Sequence, residues 1–155
     1  MDTFNIFEPE LEPGNRPDGW NWRYVRVGEK IGAEKLGASI YELEPGQKSF
    51  PYHYEYPDEE WLIVLTGEPT LRTPEGERRL RPGDTVCFPT GPEGAHLVRN
   101  DADAPTRVMI FSTKVGHPAV AFYPDSDKVL IETADPDDRA LYRKADAVDY
   151  WEGEL

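Results

Sequence analysis

The sequence has little cysteine, little histidine and comparatively little positive charge. Cys87 is the only cysteine among 155 residues, so no disulfide bond forms within the chain and nothing points to an oxidising compartment. Seventeen lysines and arginines stand against 30 aspartates and glutamates, which gives a formal net charge of -13. Nucleic acids and anionic membranes are bound through clusters of basic residues, so neither is an expected partner.

Long hydrophobic runs are also missing. No segment approaches the roughly 20 apolar residues of a membrane-spanning helix. The first residues, Met1 to Asn5, carry neither the basic region nor the apolar region of a signal peptide. We therefore expect a cytoplasmic protein.

Prolines and glycines, by contrast, are frequent, with 15 and 13 copies. They separate short β-prone runs about every eight to twelve residues, a spacing typical of all-β sandwiches and barrels. Pro45-Gly46 and Pro82-Gly83 are favoured central pairs of type II turns. The pattern predicts an all-β domain whose only helix is a short one near residues 137–143. Cys87, in the apolar run 85–88, is expected to be an inert buried thiol.

One stretch, residues 51–67, combines β-prone residues with ionisable ones. In a strand the side chains alternate, so His53 and Glu55 share one face, and Glu60 shares a face with Leu62 and Val64. An imidazole and carboxylates among aliphatic side chains are costly to bury without a partner. The pattern indicates a metal site.

Two spaced motifs carry a resemblance to a known family. The first motif reads Gly46, His53-Tyr54-Glu55, Glu60 and Gly67; the second reads Gly83, Pro89, Gly91, His96 and Asn100. In this order the motifs resemble those of the cupin superfamily, and of its small single-domain, type-2-like members in particular. The resemblance implies a double-stranded β-helix, also called a jelly-roll barrel, over residues 20–115. Residues 1–19 would be an irregular arm, and residues 116–155 a C-terminal extension packing on the barrel or on a partner subunit.

The resemblance also implies a metal site. By position it makes His53, Glu60 and His96 metal ligands. Glu55 stands where cupins usually have the second histidine of the His-x-His pair, so it is expected either as a fourth ligand or, if displaced, as a general base. Two neutral histidines and two carboxylates sum to a charge of -2, which suits a divalent ion such as Fe, Mn, Zn or Ni better than soft Cu(I). The alternative is a barrel that has lost its metal and hydrogen-bonds these groups internally.

Without a bound metal, the carboxylates of the site would repel each other. Glu55 and Glu60 would lie close together on an apolar face, and their repulsion and desolvation would raise the pKa of a carboxyl group. The metal-free form is therefore expected to lose stability as the pH rises through that pKa, whereas a bound divalent ion would restore it.

Two function classes remain open for such a site. The first is a small-molecule metalloenzyme with dioxygenase, isomerase or lyase chemistry on a small organic substrate. The second is a non-catalytic small-ligand binder or sensor that uses the same cavity. A homodimer is expected in either case, with the aromatic-rich first strand and outward tyrosines as its interface.

Overall fold

The computed structural model describes residues 1–154. Within them lie one short helix, α1 (Val27–Lys30), and thirteen strands. The strands are β1 (Glu12–Pro13), β2 (Arg23–Val25), β3 (Leu36–Leu43), β4 (Tyr54–Tyr56), β5 (Glu60–Thr66), β6 (Thr70–Thr73), β7 (Gly76–Arg79), β8 (Thr85–Phe88), β9 (Leu97–Arg99), β10 (Thr106–Thr113), β11 (Ala119–Tyr123), β12 (Lys128–Glu132) and β13 (Ala140–Arg143).

The first wall of the barrel is an antiparallel sheet of six strands in the order β1-β2-β3-β10-β5-β8. β10 lies at its centre and pairs with β3 along its whole length and with β5 on the other side. Sequence-distant strands are neighbours here, as a jelly roll requires. The predicted all-β barrel fold is confirmed.

The second wall is built from two smaller sheets. One has the order β7-β6-β9 and the other β13-β12-β11-β4. Two isolated bridges, Lys48↔Arg99 and His53↔His96, connect the chain before β4 to the chain around β9. The junction between the two sheets therefore runs through both histidines of the predicted site.

The core lies between the walls and follows the alternation of side chains along each strand. In β5, Leu62 and Val64 point inward and are fully buried, whereas Trp61 between Glu60 and Leu62 is half exposed. The same parity turns Glu60 inward. Each fully buried aliphatic side chain contributes roughly 1.5–3 kcal/mol, so the core fixes this register strongly.

The N-terminal arm covers part of the outer face of the six-stranded sheet. Its apolar side chains Phe4, Ile6 and Leu11 pack against a small cluster that contains Ile40 and Met109. Two residues of the arm, Glu12 and Pro13, pair with β2. The arm is thus irregular for most of its length but is packed against the barrel.

The C-terminal residues 119–143 extend the second wall rather than forming a separate helix. The predicted helix over residues 137–143 is wrong: Pro136–Asp138 forms a single 3-10 turn, and Ala140–Arg143 is strand β13, paired with β12. Pairing with a neighbouring strand satisfies backbone groups that a four-residue helix would leave free. No helix in residues 1–154 is long and apolar enough to cross a membrane.

The environment of Cys87 also differs from the prediction. Cys87 is exposed, because β8 pairs with β5 so that Cys87 lies opposite the outward-facing Trp61. Its neighbour Phe88 is the residue that points inward and is buried. A four-residue apolar run does not reveal which of its two faces is covered.

Candidate metal centre

The three residues His53, Glu60 and His96 come together from three separate parts of the chain. Glu60 is the first residue of β5, His53 directly precedes β4, and His96 directly precedes β9. The two histidines pair through their backbones, with N–H···O distances of 3.2 Å and 2.8 Å. This pairing holds their ring centroids 4.8 Å apart.

The ligand atoms of this group are spaced as for a single ion. One donor atom from each of the three residues lies within 4.8 Å of the other two. Donors bound to one Zn²⁺-like ion at 2.0–2.1 Å lie roughly 3–4 Å apart, so a small inward shift would close the group on an ion. Two of these side chains are largely buried: only 4% of the His96 side chain and 14% of the Glu60 side chain are exposed to solvent.

Each histidine is held in one orientation by a backbone carbonyl. His53 Nδ1 lies 2.8 Å from the Pro51 carbonyl oxygen, and His96 Nδ1 lies 2.9 Å from the Gly94 carbonyl oxygen. A carbonyl only accepts hydrogen bonds, so each Nδ1 carries the proton and each Nε2 keeps a free lone pair. This is the arrangement that metal-binding histidines adopt.

Both histidines are held neutral. Burial, together with the neighbouring His53, lowers the pKa of His96 to about 3. Burial also lowers the pKa of His53, and the nearby Glu55 carboxylate offsets this only in part. The 3.4 Å contact between His96 Nε2 and Glu60 Oε2 is therefore not an ion pair in the metal-free protein at neutral pH. A neutral imidazole is the form that binds a metal.

Glu55 lies beside the group but is not one of its three clustered donors. Its backbone pairs with Ala121 of β11, and its side chain hydrogen-bonds to the buried Glu60 carboxyl group, which places it on the interior side of β4. Burial, followed by this neighbouring carboxylate, raises the pKa of Glu60 well above its usual value. Neither carboxylate pairs with a lysine or arginine among residues 1–154.

The uncompensated carboxylates show that the donor set fits a cation. Two lone pairs on neutral nitrogen and one carboxylate oxygen provide borderline and hard ligands, which suit a divalent first-row metal. On binding a metal, Glu60 would release its proton and contribute one negative charge, and Glu55 would contribute a second. No basic side chain of the described chain supplies the balancing positive charge, so a metal ion would do so.

Aromatic side chains that the motifs did not identify complete the site. The Phe88 ring stacks on His96 with centroids 3.8 Å apart, and the Tyr123 ring stacks on His53 at 5.8 Å. Tyr41 lies near Glu60, and burial raises the pKa of its hydroxyl. Phe88 lies opposite Glu60 in the β5–β8 register, a pairing between distant segments that the motifs do not contain. No sequence signal places Tyr123, which comes from the C-terminal extension.

Comparison with known proteins agrees with this geometry. Residues 39–112 match the family described as a cupin domain. Residues 39–112 thus form a cupin domain. Cupins commonly bind metal, and this one brings three suitable donors together. No protein with a curated description matches the sequence.

Three solved structures are similar to this chain. A sugar phosphate isomerase of the cupin superfamily from Silicibacter pomeroyi is 26% identical, with a TM-score of 0.80 over 97% of this chain and 98% of the other. A protein described as a putative sugar phosphate isomerase from Acidithiobacillus ferrooxidans is 27% identical, with a TM-score of 0.77 over 84% and 81%. A polyketide cyclase from Streptomyces resistomycificus is 18% identical, with a TM-score of 0.63 over 77% and 83%, and shows the fold alone.

Proposed function

We propose that this cupin is a divalent-metal-dependent isomerase that acts on a small hydroxylated carbonyl compound. His53, Glu60 and His96 would hold the metal. Glu55 would be the general base. The observation that carries the proposal is the position of Glu55: it faces the interior and hydrogen-bonds to Glu60, yet stands outside the cluster of donors.

The different roles proposed for the two carboxylates, Glu60 as a metal ligand and Glu55 as a base, suit the chemistry of an isomerase. Moving a carbonyl group along a carbon chain requires one base that takes a proton from one carbon and returns it to the next. A bound divalent ion supplies polarisation of the carbonyl oxygen, which makes the adjacent C–H bond more acidic. Glu55 would accept that proton while the electron pair moves toward the carbonyl oxygen. That oxygen would take the proton of the neighbouring hydroxyl group, whose oxygen becomes the new carbonyl, and Glu55 would then protonate the former carbonyl carbon.

The surrounding residues would support this proton transfer. Phe88 and Tyr123 flank the two histidines and keep them in a largely water-excluded space. Low water access strengthens the electrostatic interactions on which the transfer depends. Both solved structures with TM-scores of 0.77 and 0.80 are described as sugar phosphate isomerases, which supports isomerisation over the dioxygenase and lyase alternatives.

The test measures proton exchange rather than one product. The protein, loaded with Fe(II), Mn(II), Zn(II) or Ni(II), would be incubated in D2O with aldoses and ketoses, both free and phosphorylated. Nuclear magnetic resonance should then show deuterium entering the carbon next to the carbonyl group, with conversion to the isomer. Oxygen consumption measured in parallel should stay at the background rate, since a dioxygenase would deplete O2.

A matched variant separates the roles of the two carboxylates. Glu55→Gln keeps the size and hydrogen-bonding capacity of the side chain but removes the base, so exchange should fall by about 100-fold or more while metal content is kept. Saturable binding of a ligand without exchange in the wild type would favour the non-catalytic binder instead. Loss of metal in Glu55→Gln would show that Glu55 is a ligand and would contradict its role as base.

A further inference from the structure

A cavity of about 550 Å³ opens on the outer face of the second wall, where its two small sheets meet. We call it the junction pocket; β6 and β9 form one side of it and the turn between β11 and β12 forms the other. Leu71 of β6 and Val98 of β9 point into the barrel core, so their neighbours Arg72 and Leu97 point outward and line the pocket. Leu97 directly follows His96, so the pocket lies behind the histidines of the metal centre.

The floor of the junction pocket is apolar. Tyr52 and Leu97 are buried there and pack with Ala95 in a cluster separate from the main core. Trp20, which also lines the pocket, packs against this cluster. Sites for small organic molecules commonly have this volume and combine an apolar lining with a few polar groups.

The charge of the junction pocket is opposite to that of the chain. Its lining has four cationic and two anionic side chains, in a chain whose net charge is -13. Both carboxylates are already paired: Asp125 accepts from Arg72 at 2.6 and 2.9 Å, and Glu77 accepts from Arg99 at 2.6 and 2.7 Å. Neither carboxylate is therefore free to neutralise another cation of the pocket.

The other two cations, Lys48 and Lys128, form no ion pair among residues 1–154. They come from different sheets, since Lys48 bridges to Arg99 at the end of β9 and Lys128 begins β12. Both are partly buried, and their ammonium groups lie over the rings of Trp20 and Tyr123, at 5.0 and 5.4 Å. Such contacts hold a cation in place without neutralising it. Each side of the pocket thus supplies one uncompensated positive charge.

Contacts within the chain hold the two sides of the junction pocket in place. The ion pair of Arg72 with Asp125 joins β6 to the turn between β11 and β12. The Lys48 backbone N–H donates to the Gly19 carbonyl oxygen at 2.9 Å, which fixes Lys48 beside the segment that carries Trp20. A pocket that is already formed loses less conformational entropy when a ligand binds.

We propose that the junction pocket binds a small organic dianion whose two acidic groups are separated by a hydrocarbon segment, as in a dicarboxylate. One acidic group would contact Lys48 and the other Lys128, and the hydrocarbon would lie on Tyr52 and Leu97. Two lysines from different sheets, with an apolar floor between them, suit two separated charges better than one compact phosphate group. The site does not depend on the proposed isomerase activity, since it lies on the other face of the wall.

Isothermal titration of the full chain with adipate and hexanoate tests the number of charges. The two probes have carbon chains of equal length, but adipate has two carboxylates and hexanoate has one. Adipate should bind saturably and about tenfold or more tightly than hexanoate, because it forms a second charge-assisted contact. Inorganic phosphate that binds as tightly as adipate, or adipate that does not bind saturably, would overturn the proposal.

Single variants test the two lysines. Lys48→Ala and Lys128→Ala should each reduce the preference for adipate over hexanoate to about twofold or less, since one of the two contacts is lost. Lys35→Ala is the matched control, because Lys35 is exposed, forms no ion pair among residues 1–154 and lies outside the pocket lining. An equal loss in Lys35→Ala would mean that anions are attracted by general surface charge and would contradict the proposal.

Nuclear magnetic resonance of the tryptophan indole N–H groups locates the ligand. Trp20 lines the junction pocket, whereas Trp61 is half exposed on the six-stranded sheet. Adipate should shift the Trp20 signal and leave the Trp61 signal unchanged, equally in the metal-stripped and the Zn(II)-loaded protein. Binding that requires Zn(II), or that shifts the ring signals of His53 and His96 instead of Trp20, would place the anion at the metal centre and overturn the proposal.

Discussion

At the scale of single residues, the site combines groups whose pKa values are shifted in opposite senses. His53 and His96 are held neutral because burial lowers their pKa values, and Glu60 favours its proton because burial and Glu55 raise its pKa. The two histidines already have the form that a metal requires. Glu60 would have to release its proton on binding, so metal binding and proton release are coupled.

The first prediction concerns metal and the unfolding temperature. At pH 7, Mn²⁺ or Zn²⁺ added to metal-stripped protein should raise the unfolding temperature, since an ion at 100 times its dissociation constant stabilises the folded state by about 2.7 kcal/mol. His53→Ala should lose most of that shift when unfolding is followed by calorimetry. His117→Ala is the control, because His117 is exposed, lies outside the group of metal-binding donors and hydrogen-bonds to the Glu132 carbonyl oxygen at 3.4 Å.

The second prediction concerns the pH dependence of the metal-free protein. The folded-state pKa of His96 is about 3, below the usual 6.5, so the stability that neutral His96 contributes is present above pH 6.5 and is lost as the pH falls toward 3. Between pH 7.5 and 5 this loss is about 2 kcal/mol. Glu60 acts in the opposite sense, because its raised pKa costs stability as the pH rises through it.

His96→Asn isolates the histidine's share of this dependence. Urea unfolding of both proteins in EDTA at pH 7.5, 6 and 5 gives the free energy of unfolding directly. The wild type should lose about 2 kcal/mol more than the variant between pH 7.5 and 5. Parallel curves for the two proteins would contradict the assigned pKa.

At the scale of elements, the loop from Pro89 to His96 decides where the second histidine lies. Pro92–Gly94 forms a 3-10 turn, and the Gly94 carbonyl then accepts from His96 Nδ1. A Cβ atom at position 94 would lie 1.8 Å from the Pro89 carbonyl oxygen, so only glycine fits without moving the backbone. The tight turn and the orientation of the imidazole thus depend on the same residue.

The third prediction follows from that close approach. Gly94→Ala should destabilise the protein by about 1–3 kcal/mol, the usual cost of overpacking, and should weaken metal binding because the carbonyl that orients His96 must shift. Chemical unfolding and metal titration measure the two effects. In Gly83→Ala nothing lies within 4 Å of the added carbon, although φ is +90°, so only backbone strain is expected and metal affinity should be unchanged.

At the scale of the whole molecule, the barrel depends on segments that lie outside it. The arm covers one part of the six-stranded sheet. Arg107 links the arm to the sheet, because its guanidinium group pairs with Glu42 of β3 and donates a hydrogen bond to the Phe7 carbonyl oxygen of the arm. The C-terminal extension brings Tyr123 to the site. The chain ends therefore take part in the stability of the barrel and in the composition of the site.

The fourth prediction tests the role of the arm. Ile6 is partly buried against the cluster of Ile40 and Met109, so Ile6→Ala should lower the free energy of unfolding by about 1–2 kcal/mol, less than for a fully buried side chain. Its neighbour Phe7 is 68% exposed, and Phe7→Ala should change stability by less than about 0.5 kcal/mol. Equal effects in urea unfolding would mean that the arm is not held as described.

The sequence by itself determined the fold class and three members of the site. Turn-forming Pro-Gly pairs and alternating side chains specify short strands, and the same alternation turns Glu60 inward with Leu62 and Val64. The spaced motifs added His53 and His96, which the structure brings within reach of one ion. These features are local or recur at fixed intervals, so they can be recognised from the sequence alone.

Only the tertiary structure decided the rest. Tyr123 reaches His53 because β4 pairs with β11. Cys87 is exposed because β8 lies at the edge of its sheet with that face uncovered, and residues 140–143 form a strand because β12 offers them hydrogen bonds. Pairings between distant segments depend on which surfaces the folded chain covers, and no short stretch of sequence contains that information.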